Sequence, residues 1–296
     1  MSNKQTILIQ LDSDKHPSVF DRVAATDAGA DVVFAYGAVT TDDAEGLTHG
    51  GIFTRGPADL KHTAIFIGGS NVAQGEALLK KVTGSFFGPL RVSVMMDANG
   101  CNTTAAASVL AAGQHVSLAG STALVLGGTG PVGQRAARLL AGEGAAVKLA
   151  SRSLSRATEA AEAVNQASSG DDHQGEVGLV VGVAPADDAA MAEALADVQI
   201  VIAAGAAGVK LLSESVWQAA SSLKVLIDLN AVPPAGIEGV DVAAKAADLN
   251  GVIAYGAIGV GGTKMKIHKR AVASLFESND KVLDADEVYA IGKAMA

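Results

Sequence analysis

The sequence predicts an α/β chain of two domains, each a parallel sheet with helices on both faces, and C-terminal helices that return to the first domain. Three observations carry this. Short apolar runs alternate with amphipathic stretches from end to end, the pattern of repeated βαβ units. The runs are nearly continuous in Val, Ile, Leu, Phe and Met, as strands buried on both faces require. A glycine-rich turn at Gly128–Gly133 joins one such run to a helical stretch, the arrangement of a Rossmann-type dinucleotide fold.

In the first domain, Thr6–Leu11, Asp31–Tyr36, Thr63–Gly68 and Arg91–Met96 read as strands, with helical patterns after the first, third and fourth. A helix over roughly Asn102–Gly113 ends this series. Leu118-Ala119-Gly120 then forms a plausible joint, because a fresh buried strand starts directly after it. The second series runs through Ser121–Leu126, Ala146–Ala150, Val177–Val183, Gln199–Ala204, Val225–Leu229 and Val252–Ala257. Two more helical patterns, Lys264–Phe276 and Asp284–Ala294, close the chain. The expected division is 1–118 with 270–296 as a substrate domain, and 119–269 as a nucleotide domain. The polar, glycine-flanked Ser168–Gly175 segment reads as a surface loop.

At 296 residues the chain can bury two cores without staples. Its 22 Lys and Arg against 31 Asp and Glu leave a formal charge of −9, the wrong sign for a protein held to nucleic acid by phosphate contacts. A single cysteine, Cys101, cannot form an internal bridge, and no secretory leader pattern opens the sequence, so a cytoplasmic location is expected. The apolar, uncharged stretch between Asp197 and Lys210 has 12 residues, short of the roughly 20 that span a bilayer. No membrane partner is expected.

Gly128, Thr129, Gly130, Pro131, Val132 and Gly133 follow the strand Ala123–Leu126 and precede the helical Gln134–Leu140. Strand, glycine turn and helix in that order supply a tight turn, close backbone approach to a pyrophosphate, and helix-opening amides that attract the anion. The next strand ends in Ser151-Arg152-Ser153, where an NAD site usually carries an acid for the ribose 2′-hydroxyl. An arginine flanked by hydroxyls suits a 2′-phosphate instead, which favours NADP, with Arg156 as a second cation. The alternative for both arginines is a solvated helix start. Gly205 and Asn230 fall at carboxyl ends of strands, where open α/β sheets bind ligands, and are expected to border the nicotinamide; such residues also serve as ordinary turns.

In the first domain, Asp97 to Thr104 is an unusually polar strand end. Asn102 or Thr103 can cap the following helix. Asp97 and Asn99 have no such structural excuse, and a carboxylate there could accept from a ring bearing an amino group. Lys264 and His268, at i and i+4, share a helix face, while Lys266 points elsewhere. A lysine at a helix start opposes the macrodipole, which hints at a role other than stability. Asp12-Ser13-Asp14 after the first strand invites a metal site or a phosphatase nucleophile, but its companion motifs are lacking and a strand-end turn is favoured; no metal is expected. Tyr289 and Lys293 have short-chain-dehydrogenase spacing yet lie too near the C-terminus, so a surface helix is the default.

Taken together, Pro17-Ser18-Val19-Phe20-Asp21, Phe86-Phe87-Gly88-Pro89, the run from Asp97 to Thr104, the glycine turn, Asn230 with Pro233–Ile237, and Leu275–Ser278 resemble the bacterial NADP-dependent methylene-tetrahydromethanopterin dehydrogenases over nearly the whole chain. The resemblance implies a fold similar to methylene-tetrahydrofolate dehydrogenases, with a pterin-binding domain ahead of the NADP domain. It implies reversible oxidation of 5,10-methylene-tetrahydromethanopterin to the methenyl cation, with NADP accepting hydride, in formaldehyde oxidation. It further implies a homotrimer with the site in a cleft between domains. By the same resemblance Phe20, Lys264, His268 and Phe276 lie near the reacting ring, and Asp97, Asn99 and Asn102 in the pterin pocket. Rival readings are a shikimate-type dehydrogenase, whose lysine–aspartate pattern is not evident, and a non-catalytic NADP sensor.

Overall fold

The computed structural model describes residues 4–168 and 177–295. In chain order the elements are β1 (Ile7–Asp12), α1 (Val19–Asp27), β2 (Val32–Tyr36), α2 (Thr41–Ile52), β3 (Thr63–Gly68), α3 (Val72–Gly84), β4 (Ser93–Met96), α4 (Cys101–Gly113), β5 (Thr122–Leu126), α5 (Pro131–Gly142), β6 (Ala146–Ala150) and α6 (Leu154–Ser168). They continue as β7 (Val180–Val183), α7 (Asp188–Ala194), β8 (Ile200–Ala203), α8 (Glu214–Gln218), β9 (Val225–Asp228), β10 (Ala247–Leu249), β11 (Val252–Tyr255), α9 (Ala257–Ser274), β12 (Val282–Leu283) and α10 (Ala285–Lys293). Two compact units emerge, residues 1–103 with 265–296, and residues 104–264.

The first unit holds a five-stranded sheet in the order β12-β4-β3-β1-β2, every pair parallel. From β1 the chain passes to β2 on one side and to β3 on the other. The carboxyl ends of β1 and β3 therefore form a topological switch point, where open α/β sheets place ligands. β3 is buried along its whole length, and Leu8, Ile65, Ile67, Val94 and Met95 fill the centre. The second unit holds seven strands in the order β10-β11-β9-β8-β5-β6-β7, parallel except for β10. With β5 as first strand this is the Rossmann order, carrying an antiparallel edge. Trp217 sits in its core beneath β8 and β9, its indole N–H donating to the Glu238 carbonyl at 2.8 Å.

Four elements depart from the pattern reading. α2 follows β2 where no helix is expected, because its three glycines weaken the apolar period; Thr40 fixes its start by donating N–H and O–H to the Asp43 carboxylate at 2.9 and 2.7 Å. β10 pairs with β11 through Asn250-Gly251, both with positive φ, a hairpin signal plainly present in the sequence. β12 is two residues long and exists through its contacts with β4, Val94 N–H donating to the Lys281 carbonyl at 2.8 Å. α9 opens at Ala257, seven residues before the expected start. Its glycines suggest a loop, but a Cβ at Gly259 would lie 1.8 Å from the Ala244 carbonyl oxygen, so the helix meets the backbone there as only glycine allows. Lys264 consequently lies two turns inside α9, and the macrodipole argument for it falls.

Of the expected 168–175 loop, Ser168 instead ends α6, buried, and the remainder lies outside the described residues. No helix among the described residues is long and apolar enough to cross a membrane.

Candidate active site

The glycine turn lies between β5 and α5 as the sequence predicts. Gly127, with φ +69°, turns the chain at a point where a Cβ would lie 2.5 Å from Gly205 Cα. A Cβ at Gly133 would meet Gly128 Cα at 2.7 Å, so α5 packs directly on the turn. Gly130 has more room, its nearest neighbour being the Gly127 carbonyl oxygen at 3.4 Å, which leaves its face to a close-approaching ligand. Gly130 is also the N-cap of α5, with no side chain capping the helix, and Pro131 occupies the first helical position. The amides of Val132 and Gly133 thus open the helix toward an anion. Gln134 braces the turn by donating to the Thr129 carbonyl at 2.8 Å.

This turn opens onto a cavity of about 440 Å³ that takes in Thr129, Gly130, Ser151, Arg152, Arg156 and Gly205. No carboxylate lines it among the described residues. Both arginines are exposed, so they reach the cavity from its rim. Ser153 immediately precedes α6, its hydroxyl 3.0 Å from the Ser155 hydroxyl. Asn230 serves the turn it stands in: its Oδ1 accepts from Val232 N–H at 2.9 Å and Gly208 N–H at 3.3 Å, and its Nδ2 donates to the Pro234 carbonyl at 2.8 Å. Through Gly208 it ties this turn to the Ala204–Lys210 loop that lines the cavity. Asp228 anchors the same region, buried and accepting amides of Asn230 and Ile237 at 3.0 and 2.9 Å. Burial pushes its carboxyl above the ordinary value, partly offset by the amides of Ile237, Asn230 and Gly236.

At the switch point of the first unit, Asp12, Gly68 and Asp97 stand at or just beyond the carboxyl ends of β1, β3 and β4. Asp97 lies 3.2 Å from His268 Nδ1 through its Oδ2, and both side chains are almost fully enclosed, 1 and 2 % exposed. The same carboxylate accepts Thr103 O–H at 2.7 Å and the amides of Asn102 and Thr103 at 2.9 and 3.1 Å. It therefore caps α4, the task expected of Asn102 or Thr103, and its acceptor positions are filled. The expectation of Asp97 as a direct acceptor from a substrate amine is corrected accordingly: its oxygens are taken by Asn102, Thr103 and His268. An acceptor-only carboxylate requires the proton on His268 Nδ1. His268 Nε2 is buried without a hydrogen-bond partner. Phe66 and Phe20 pack edge-on to the imidazole at 5.5 and 6.4 Å, and Phe20 is itself 55 % exposed.

Asp21, which the sequence reading left without a role, belongs to this cluster. A Cβ at Gly68 would lie 3.3 Å from Asp12 Oδ2 and 3.4 Å from Asp21 Oδ2, so both carboxylates converge on the end of β3. Burial raises the Asp21 carboxyl above its ordinary range; His268 and the Ser18 hydroxyl pull it down, and Asp97 and Asp12 push it up. The Ser-x-x-Asp spacing from Ser18 to Asp21 was the available signal. Asp12 is a buried acceptor for Asp14 and Ser18 amides at 2.8 and 3.0 Å, and Asp14 binds Ser70, in keeping with a strand-end turn.

The remaining candidates divide. Asn99 has an exposed side chain, held out by a left-handed backbone at φ +52°. Asn102 is fully buried and donates to the Met96 carbonyl at 2.6 Å and Asp284 at 2.8 Å, tying β4 to α10; it is a framework residue, not a free pocket donor. Phe276 lies just past α9, eight residues beyond His268, roughly 12 Å of helix rise. The neighbouring Asn279 binds the Arg91 carbonyl ahead of β4, so the structure sets Phe276 toward the opposite end of the strand from Asp97. Lys264 is partly buried and Lys266 exposed.

Residues 19–99 match the family described as methylene-tetrahydromethanopterin dehydrogenase, N-terminal, and residues 115–237 one described as putative NAD(P)-binding. The chain is similar to the "Bifunctional protein MdtA" of Methylorubrum extorquens, 46% identical with all of both chains covered. It is also similar to the "NAD(P)-dependent methylenetetrahydromethanopterin dehydrogenase" of the same organism, 33% identical with 99% of each covered. Among solved structures, the ligand-free 5-ketofructose reductase of Gluconobacter sp. strain CHM43 aligns over all of both chains at 15% identity and a TM-score of 0.50, a likeness of fold alone. Identity of this extent along the full length, joined to the match at its N-terminal half, makes the chain a member of the methylene-tetrahydromethanopterin dehydrogenase family.

Proposed function

We propose that this enzyme transfers a hydride reversibly from the methylene carbon of 5,10-methylene-tetrahydromethanopterin to NADP, leaving the methenyl cation. The observation that carries the coenzyme half is the carboxylate-free cavity beside the glycine turn, with Arg152 where an NAD site holds an acid. Family membership supports the carrier. When bound, NADP supplies the nicotinamide that accepts hydride.

The chain's own contribution is orientation. The amides opening α5 and the bare face of Gly130 hold the pyrophosphate, and Arg152 grips the 2′-phosphate through forked, charge-assisted bonds. The methylene carbon lies between two nitrogens whose lone pairs spread the positive charge left by hydride loss. No strong general base is needed, and positioning of two rings becomes the main term. Asp97 and the edges of Phe20 and Phe66 hold His268 in one orientation, and the exposed ring of Phe20 offers a surface for the carrier. Lys264 is better cast as an orienting donor than as a base, since hydride transfer releases no proton for it to accept. A cytoplasmic homotrimer belongs to the same proposal.

The test is absorbance at the NADPH band with methylene-tetrahydromethanopterin and methylene-tetrahydrofolate, each with NADP and NAD. NADPH formation with the methanopterin carrier is expected. Absence of reduction with either carrier overturns the reading. Light scattering checks the trimer.

A further inference from the structure

The cavity beside the glycine turn has a third cation on its lining. Lys210 joins Arg152 and Arg156 there, and among the described residues no acid lines the cavity. Three cations around one 440 Å³ cavity are a strong local bias in a chain of net charge −9. Lys210 is nevertheless not free, because its Nζ lies 3.2 Å from Glu238 Oε2 just outside the cavity.

The backbone brings the two segments together. Leu212 and Ile237 form a parallel bridge, with Leu211 and Leu212 N–H donating to the Gly236 carbonyl at 2.8 and 3.1 Å and Glu238 N–H to the Leu212 carbonyl at 2.9 Å. In that register Glu238 lies across from Ser213, and the long side chain of Lys210 reaches its carboxylate from the adjoining segment. Glu238 Oε2 also accepts Glu214 N–H at 3.2 Å, and its backbone carbonyl receives the buried Trp217 indole. That amide first, and Lys210 second, hold the Glu238 carboxyl below its ordinary value. Glu238 is therefore an anchored anion, and Lys210 the flexible member. Both side chains are nearly half exposed, 48 and 46 %, and a pair of that kind contributes only about 0–1 kcal/mol, too little to lock the lysine.

We infer that Lys210 is a third cation for the 2′-phosphate of the coenzyme, and that Glu238 is a positioning residue that holds it at the cavity rim and offsets part of its charge. A 2′-phosphate carries close to two negative charges and outcompetes a single carboxylate for the ammonium. On this view the ion pair sets how strongly the site prefers NADP over NAD. The inference rests on the coenzyme reading above and adds a specificity residue to it.

Titration of the full chain with 2′,5′-ADP and with 5′-AMP isolates the 2′-phosphate. Lys210→Met should weaken 2′,5′-ADP by about two- to five-fold at low salt and leave 5′-AMP unchanged. Glu238→Gln, which keeps an acceptor for Glu214 N–H, should tighten 2′,5′-ADP by a similar factor. Both differences should shrink in about 0.5 M salt, as a charge effect does and a packing effect does not. Equal changes for both nucleotides, no change in either variant, or weaker 2′,5′-ADP binding by Glu238→Gln overturns the inference. A wild-type chain that fails to distinguish the two nucleotides overturns the coenzyme reading instead.

Discussion

Gly133 and Gly128 touch through their backbones: a methyl group on Gly133 would stand 2.7 Å from Gly128 Cα and 2.9 Å from the Gly127 carbonyl oxygen. The first turn of α5 is thereby pressed onto the loop proposed to receive a pyrophosphate. Gly133→Ala should force these apart, destabilising the protein by about 1–3 kcal/mol and weakening NADP at least about tenfold. Thermal denaturation and calorimetric titration check both effects. A stable variant with unchanged NADP affinity would show that the contact does not shape the site.

Arg152 lies on the cavity, and among the described residues its guanidinium has no partner to keep it from forking onto a phosphate. Charge-assisted bonds of this kind contribute about 1.5–3 kcal/mol, so Arg152→Ala should raise the NADP dissociation constant about 10- to 100-fold while NAD changes little. Parallel titrations with both coenzymes decide it. An equal loss for both removes Arg152 from the 2′-phosphate.

Asp97 fixes which nitrogen of His268 carries the proton. In Asp97→Asn the amide can no longer satisfy Thr103, two backbone amides and His268 together, and imidazole tautomer and orientation become mixed. We expect kcat/KM for the carrier to fall by about 10- to 100-fold, on the scale of losing a positioning contact, with NADP affinity unchanged. Nitrogen NMR of His268 should show the Nδ1–H tautomer in wild type and lose it in the variant. A wild-type spectrum with the proton on Nε2 alone contradicts the assignment.

Asp228 gives a pH dependence of definite sign. Its folded-state pKa is raised above the ordinary 3.8, with burial the largest cause, so between those values the folded protein keeps a proton that the unfolded chain has released. Its contribution to stability is present below the unfolded pKa and is lost as pH rises through the window above 3.8. Asp228→Asn lacks this titration. The stability of wild type relative to the variant should therefore decline on raising the pH from about 4, with a slope of at most about 1.4 kcal/mol per unit. Denaturant titrations across that range test it, and a relative stability that rises with pH contradicts it.

Much of this was legible before any coordinates. Continuous apolar runs announced the buried strands, and Gly128–Gly133 announced its own place because strand, turn and helix are contiguous in sequence. The place of Arg152 on the cavity was equally readable, since it depends only on the strand before it. Where local pattern failed, a distant contact had decided the matter. The glycines before Lys264 read as loop, yet α9 begins among them because Gly259 fits against the Ala244 carbonyl. β12 is too short to carry a pattern and owes its existence to β4.

The amino acids by themselves determined the fold class, the nucleotide turn and the set of polar residues gathered near Asp97, because these follow from periodicity and from neighbours within a few positions. Tertiary structure alone decided what each polar residue does. It turned Asp97 into the cap of α4 and the partner of His268, spent Asn102 on Asp284, carried Phe276 toward the other end of the strand, and set Glu238 beside Lys210. The physical reason is that a hydrogen-bonding group is defined by what occupies its lone pairs and protons, and those partners come from chain segments up to 182 residues away.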